Sequence, residues 1–145
     1  MDINKAFDIL MKFEGGGEVV NNPADKGGLT KYGISQGAHP GLNIANLTED
    51  DARIIYTTGY WHAAGCDRVK PELQYVLFDT AVNMRTATAI KILQQAAGIA
   101  ADGIFGQQTL AASNNITISD YLFHRSLRYT GIIYNDHEQL VFIKG

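Results

Sequence analysis

Two carboxylates and a hydroxyl, Glu14, Asp25 and Thr30, fall in one short stretch crowded with glycine. Gly15-Gly16-Gly17 follow the first acid directly, and Gly27-Gly28 follow Asp25-Lys26. Backbone without β-carbons lets a ligand come close. The residue types suit proton-transfer chemistry at a polar bond. One carboxyl kept neutral donates a proton, while a second kept ionised assists a water or a developing cation. Glycoside hydrolysis divides its work between two carboxyls in this way. Thr30 offers a hydroxyl able to position the water.

The environments of the two acids should differ. Ile3, Phe7, Leu10 and Met11 recur at helical spacing, and Glu14 continues that apolar stripe four residues after Leu10. Burial and the negative end of the helix dipole both favour the neutral carboxyl there. Asp25 lies in a polar, glycine-rich loop beside Lys26, where the anion is favoured. Pattern alone also fits a solvent-facing acid at a frayed helix end, and Asp25 and Thr30 as turn formers. Glu18 is the rival acid, in an extended run where solvent exposure is the default.

The elements that must hold these groups read as follows. Asp2 caps a helix over 3–14, and Gly15 stops it. The runs 18–22 and 29–34 are β-prone and should pair as a small hairpin, and 37–46 is loop. Thr48 opens a helix over 48–60 with an acidic first turn and a capping-box spacing to Asp51. After a turn at 65–70, Pro71 suits the first position of a helix that is apolar nearly all round from Leu73 to Met84. Tyr75, Asp79 and Asn83 form its one polar stripe. Further helices are expected over 86–97, 107–112 and 118–134, the last capped by Thr117 or Ser119. The tail 135–145 is too short to assign. There is no repeat, low-complexity tract or linker, so one domain spanning 1–145 is expected. Its class is mainly α (α+β), a helical domain with a small N-terminal β-hairpin.

Composition narrows the function. The 145 residues are 46% hydrophobic and 19% charged, which fits a globular chain with a real core. A formal net charge of −3 argues against nucleic acid or an anionic membrane as partner, though not against a neutral glycan. No apolar run is long enough for a membrane span, so no membrane insertion is expected. Met1-Asp2-Ile3-Asn4-Lys5 does not resemble a secretory signal, so the chain is expected to be synthesised in the cytoplasm. The single Cys66 reads as a buried thiol. His39, His62, His124 and His137 lack ligand spacing, and the Asp102-Gly103…Gly106 turn lacks the acids of a calcium loop, so no metal and no cofactor is expected. Asp79 and Asn83 either face a cleft and orient Glu14 or the sugar, or satisfy each other in a buried polar network. Tyr32, beside Gly33, is the better aromatic candidate for a cleft. Trp61 and Tyr60 could stack on sugar, although packing in the core competes for Trp61.

The stretch from Glu14-Gly15-Gly16 through Asn21-Asn22-Pro23-Ala24-Asp25-Lys26-Gly27-Gly28-Leu29-Thr30-Lys31-Tyr32-Gly33-Ile34-Ser35 resembles the signature of glycosyl hydrolase family 108. Tyr56 to Trp61 and Phe78-Asp79-Thr80-Ala81-Val82-Asn83 are similar to two of its helices. Leu93-Gln94-Gln95-Ala96-Ala97-Gly98 with Asp102-Gly103…Gly106…Thr109 resembles the peptidoglycan-binding part of that family, here 86–145. The family consists of bacterial and phage N-acetylmuramidases, some described as secretion activators. The resemblance implies a lysozyme-like fold with Glu14 as the catalytic glutamate. It also implies peptidoglycan glycan strands as the partner and action at the cell wall. Without a secretory signal, release through a holin or export partner is expected, and the chain is expected to be a monomer. Phage lysozymes offer a more distant likeness, with an Asp and a Thr on a hairpin in the positions of Asp25 and Thr30. A lytic transglycosylase using Glu14 alone, or a non-catalytic wall-binding protein, are the alternatives. Two departures stand out. The family carries an aromatic residue where this chain has Gly17, which implies a looser groove wall. It also continues past the final glycine with a Gly-Trp segment and an arginine, whereas this chain stops at Gly145.

Overall fold

The computed structural model describes residues 1–22 and 28–144, and the side chains of 1–21 and 28–131. Asp25 lies outside the described residues. Contacts divide the chain into two compact units, Met1–Ala63 and Ala64–Gly145.

In the first unit, α1 spans Ile3–Glu14. Asp2 caps it by accepting a hydrogen bond from the Lys5 amide at 2.9 Å. Ala6, Phe7 and Leu10 form its buried face. The chain leaves at Gly15 with φ +89°. Three short strands follow: β1 (Val20–Asn22), β2 (Gly28–Lys31) and β3 (Ile34–Ser35), paired antiparallel in the order β1-β2-β3. Val20 faces Thr30 across the first pair, and Lys31 faces Ile34 across the second. The sequence read 29–34 as one strand. Instead the chain reverses at Tyr32 and Gly33, whose φ values of +53° and +74° are both left-handed, the requirement of a type I′ hairpin turn. Glycine takes that conformation freely, whereas tyrosine must be held in it.

α2 spans Glu49–Tyr56, and both hydrogen bonds of the Thr48–Asp51 capping box are formed. The helix expected to run on to Tyr60 changes character, and Thr57–His62 is π-helical. Thr57 marks the change, its hydroxyl donating to the Arg53 carbonyl at 2.6 Å. α1 packs on α2 through Phe7, edge-on to Tyr56 at 5.6 Å, while the Arg53 guanidinium lies over the Phe7 ring and pairs with Asp8 at 2.7 Å.

The second unit is helical: α3 (Pro71–Met84), α4 (Thr86–Ala96), α5 (Gln107–Ser113) and α6 (Ile118–Lys144). Its core includes Leu73, Leu77, Phe78, Ala89, Ile92, Leu93 and Tyr121, all fully buried, with Cys66 beside them in burial. α6 starts at a capping box between Thr117 and Asp120 and continues well past the expected residue 134. The Leu-Gln…Asp-Gly…Thr pattern has a structural meaning here. The buried Gln94 amide donates to Asp102 Oδ1 (2.8 Å), the Ile104 carbonyl (3.0 Å) and Thr109 Oγ1 (3.0 Å), and its oxygen accepts from the Gly103 amide (3.0 Å). One side chain thereby ties α4, the 98–106 loop and α5 together.

Candidate active site

A pocket of about 400 Å³ opens in the first unit. It is lined by Glu14, Gly15, Gly16, Gly17 and Glu18 at and just after the end of α1, and by Val20, Thr30, Lys31, Tyr32 and Gly33 of the sheet and its hairpin turn. Glu14 is delivered by the last residue of α1, and the glycines after it carry no side chains to fill the space. Thr30 comes from β2 and Tyr32 and Gly33 from the hairpin turn. Four residues singled out from the sequence thus share one cavity.

The expected burial of Glu14 is corrected, because its side chain is exposed. α1 outruns the core it packs on: Leu10 is buried, while Phe13 in the last turn is 79% exposed. Glu14 keeps the angular position of the stripe but stands at the pocket rim, open to a ligand.

The hairpin turn is tied to this rim by several contacts. The Tyr32 amide donates to the Gly16 carbonyl at 3.1 Å. The Tyr32 carbonyl accepts from the Tyr56 hydroxyl at 2.8 Å. A β-carbon at Gly33 would lie 2.7 Å from Tyr56 Oη and 3.1 Å from Glu14 Cβ, so only glycine fits between them. A β-carbon at Gly17 would lie 2.8 Å from Tyr32 Oη. The Tyr32 ring therefore lies against Gly17, the position where the family resemblance led one to expect an aromatic. Lys31 places its ammonium 5.7 Å from the centre of the same ring and 3.4 Å from the Ala45 carbonyl. Glu18, set aside in the sequence as a solvent-facing acid, is exposed yet lines the same pocket. Nothing in its local pattern separates it from an ordinary exposed glutamate.

Among the described residues, the lining of this pocket does not include Trp61, Asp79 or Asn83. Trp61 is 3% exposed, among the core residues of the first unit. Asp79 and Asn83 belong to α3 of the second unit. Asn83 Nδ2 donates to the Asp79 carbonyl (2.9 Å) and to its carboxylate (3.1 Å). The other carboxylate oxygen pairs with Arg125 at 2.8 Å, and Arg125 also donates to Thr80 Oγ1. The proximity of Asp79 holds the Arg125 guanidinium in its charged form against the cost of its burial. A partner 46 residues away on another helix leaves no trace in local sequence.

Comparison with known proteins identifies the family. The family model described as Glycosyl hydrolase 108 matches residues 7–84, just over half of the chain and all of the pocket. The structure of Brucella abortus SagA is similar, at 29% identity and a TM-score of 0.72, over 84% of this chain and 74% of that one. A comparison with curated proteins gave no match. The fold is α+β and lysozyme-like. By its family match, and with a glutamate-bearing pocket inside the matched segment, the chain belongs to glycosyl hydrolase family 108 and is a glycoside hydrolase.

Proposed function

We propose that the protein is a peptidoglycan hydrolase, an N-acetylmuramidase cleaving the β-1,4 bond between N-acetylmuramic acid and N-acetylglucosamine. The observation that carries this reading is the pocket in which Glu14, at the exposed end of α1, faces Thr30, Tyr32 and Gly33 of the hairpin. A glycan strand needs an open cleft with a carboxyl at its rim and few side chains in the way, and the three glycines leave that space. Protonated Glu14 donates to the glycosidic oxygen as the C1–O bond breaks. Water adds to C1, positioned by the Thr30 hydroxyl. Asp25 accepts its proton or stabilises the developing cation. If Asp25 is the base, the product is inverted and the two carboxyls stand about 6.5–9.5 Å apart; a separation near ~5 Å goes with retention.

Digestion of purified cell walls tests the reading. The wild-type chain should release soluble fragments with reducing ends, and Glu14→Gln should release none while keeping its fold by circular dichroism. Anhydro ends in the mass spectrum would identify a lytic transglycosylase instead. Wall binding without release by the wild-type chain would leave a non-catalytic wall-binding protein.

A further inference from the structure

Tyr56 is not one of the groups expected to touch substrate, yet its ring is held in place and its hydroxyl meets the hairpin turn that borders the pocket. It closes α2 immediately before the π-helical segment and is 2% exposed. Its ring is gripped by Phe7 and Tyr60, each with centroids 5.6 Å away. From that fixed ring the hydroxyl donates to the Tyr32 carbonyl at 2.8 Å. Tyr32 is held at φ +53°, which a tyrosine does not adopt on its own account, and its amide is fixed by Gly16. The neighbouring Gly33 Cα is wedged between the same hydroxyl and the root of the Glu14 side chain. A β-carbon there would meet Tyr56 Oη at 2.7 Å, Glu14 Cβ at 3.1 Å and Glu14 Cγ at 3.7 Å.

We propose that Tyr56 is a positioning residue for the acid: its buried hydroxyl clamps the Tyr32–Gly33 turn, and that turn buttresses the Glu14 side chain at the pocket rim. The proposal rests on the reading of Glu14 as the proton donor. A general acid must sit within hydrogen-bond reach of the oxygen it protonates, and misplacement by an ångström costs on the order of a hundredfold in rate. Burial pushes the Tyr56 phenol well above its usual range, and the charge of Glu14 adds to the shift. The hydroxyl therefore remains a proton-bearing donor wherever a glycosidase is assayed, and the clamp does not titrate away.

The test compares wild type, Tyr56→Phe, Ile44→Val and Glu14→Gln on soluble oligomers of alternating N-acetylglucosamine and N-acetylmuramic acid, with kcat, KM and melting temperature measured for each. Ile44 is fully buried in the same unit, and its variant is destabilised with the hydroxyl in place. Tyr56→Phe should lower kcat about tenfold or more, with KM within about twofold of wild type, and Ile44→Val should leave kcat unchanged at temperatures where all variants are folded. A Tyr56→Phe kcat within about twofold of wild type overturns the proposal, as does a loss carried by KM or shared by Ile44→Val. Turnover by Glu14→Gln removes the reading of the acid itself. An inactive Glu14→Gln beside a fully active Tyr56→Phe removes only the clamp. If Tyr56→Phe does not fold, Gly33→Ala presses on the same hydroxyl from the other side, and a folded Gly33→Ala with wild-type kcat is equally fatal.

Discussion

Replacing Gly33 by alanine probes the join between fold and site most directly. The backbone there sits at φ +74°, where an L-residue pays about 1 kcal/mol. The added methyl would also meet Tyr56 Oη at 2.7 Å and Glu14 Cβ at 3.1 Å. The first distance is shorter than real β-carbon contacts, and the phenol ring it belongs to is buried and packed against Phe7 and Tyr60. Overpacking of this kind costs about 1–3 kcal/mol. Together the two effects predict a loss near 3 kcal/mol, which for a chain of this length lowers the melting temperature by roughly 10 °C. Gly41→Ala is the matched comparison, because a methyl there meets nothing within 4 Å and the backbone is not left-handed. It should lie within about 0.5 kcal/mol of wild type. Urea unfolding gives the stability difference, and wall digestion below the melting range gives the activity. Glu14 has to give way by some tenths of an ångström, so digestion should slow by about tenfold or more. If Gly33→Ala matches Gly41→Ala in both measurements, the turn does not brace the acid and the reasoning fails.

Two further predictions concern the second unit. Gln94→Leu keeps the bulk of the buried side chain but strips partners from Asp102, the Ile104 carbonyl, Thr109 and the Gly103 amide. A loss of about 3 kcal/mol is expected in denaturant unfolding, with faster hydrogen exchange at the Gly103 amide. Unchanged exchange there would mean that Gln94 does not organise the loop. The Asp102 carboxyl is held below its usual range, first by the Ile104 amide and then by Gln94. A carboxyl depressed on folding adds stability that is complete above its ordinary value of about 3.9 and fades as pH falls through the lower folded value. The stability gap between wild type and Asp102→Asn should therefore be flat above about pH 5 and shrink below about pH 4; a gap that stays constant into acid refutes the assignment.

What the sequence revealed and what it hid divide along the range of the interactions. The start of α1 at Asp2, its stop at Gly15, the Thr48–Asp51 box, Pro71 opening α3 and Thr117 opening α6 are set by neighbours within a few residues, and each was legible. The exposure of Glu14 was not, because periodicity gives the angle of a residue around a helix and says nothing of where the core beneath it ends. The Tyr32–Gly33 turn was hidden for a related reason. Tyrosine carries no turn preference, and its left-handed backbone is imposed from outside, by the Gly16 carbonyl before it in the chain and by Tyr56 far after it. Gly15 and Gly33 look alike in sequence, yet the first has open space where its side chain would be and the second has none. Gly15 serves the chain path, and Gly33 is confined between Tyr56 and Glu14. Only the packed neighbours distinguish them. The same packing gives Tyr56, a residue that local pattern would assign to the core alone, its hold on the turn that borders Glu14.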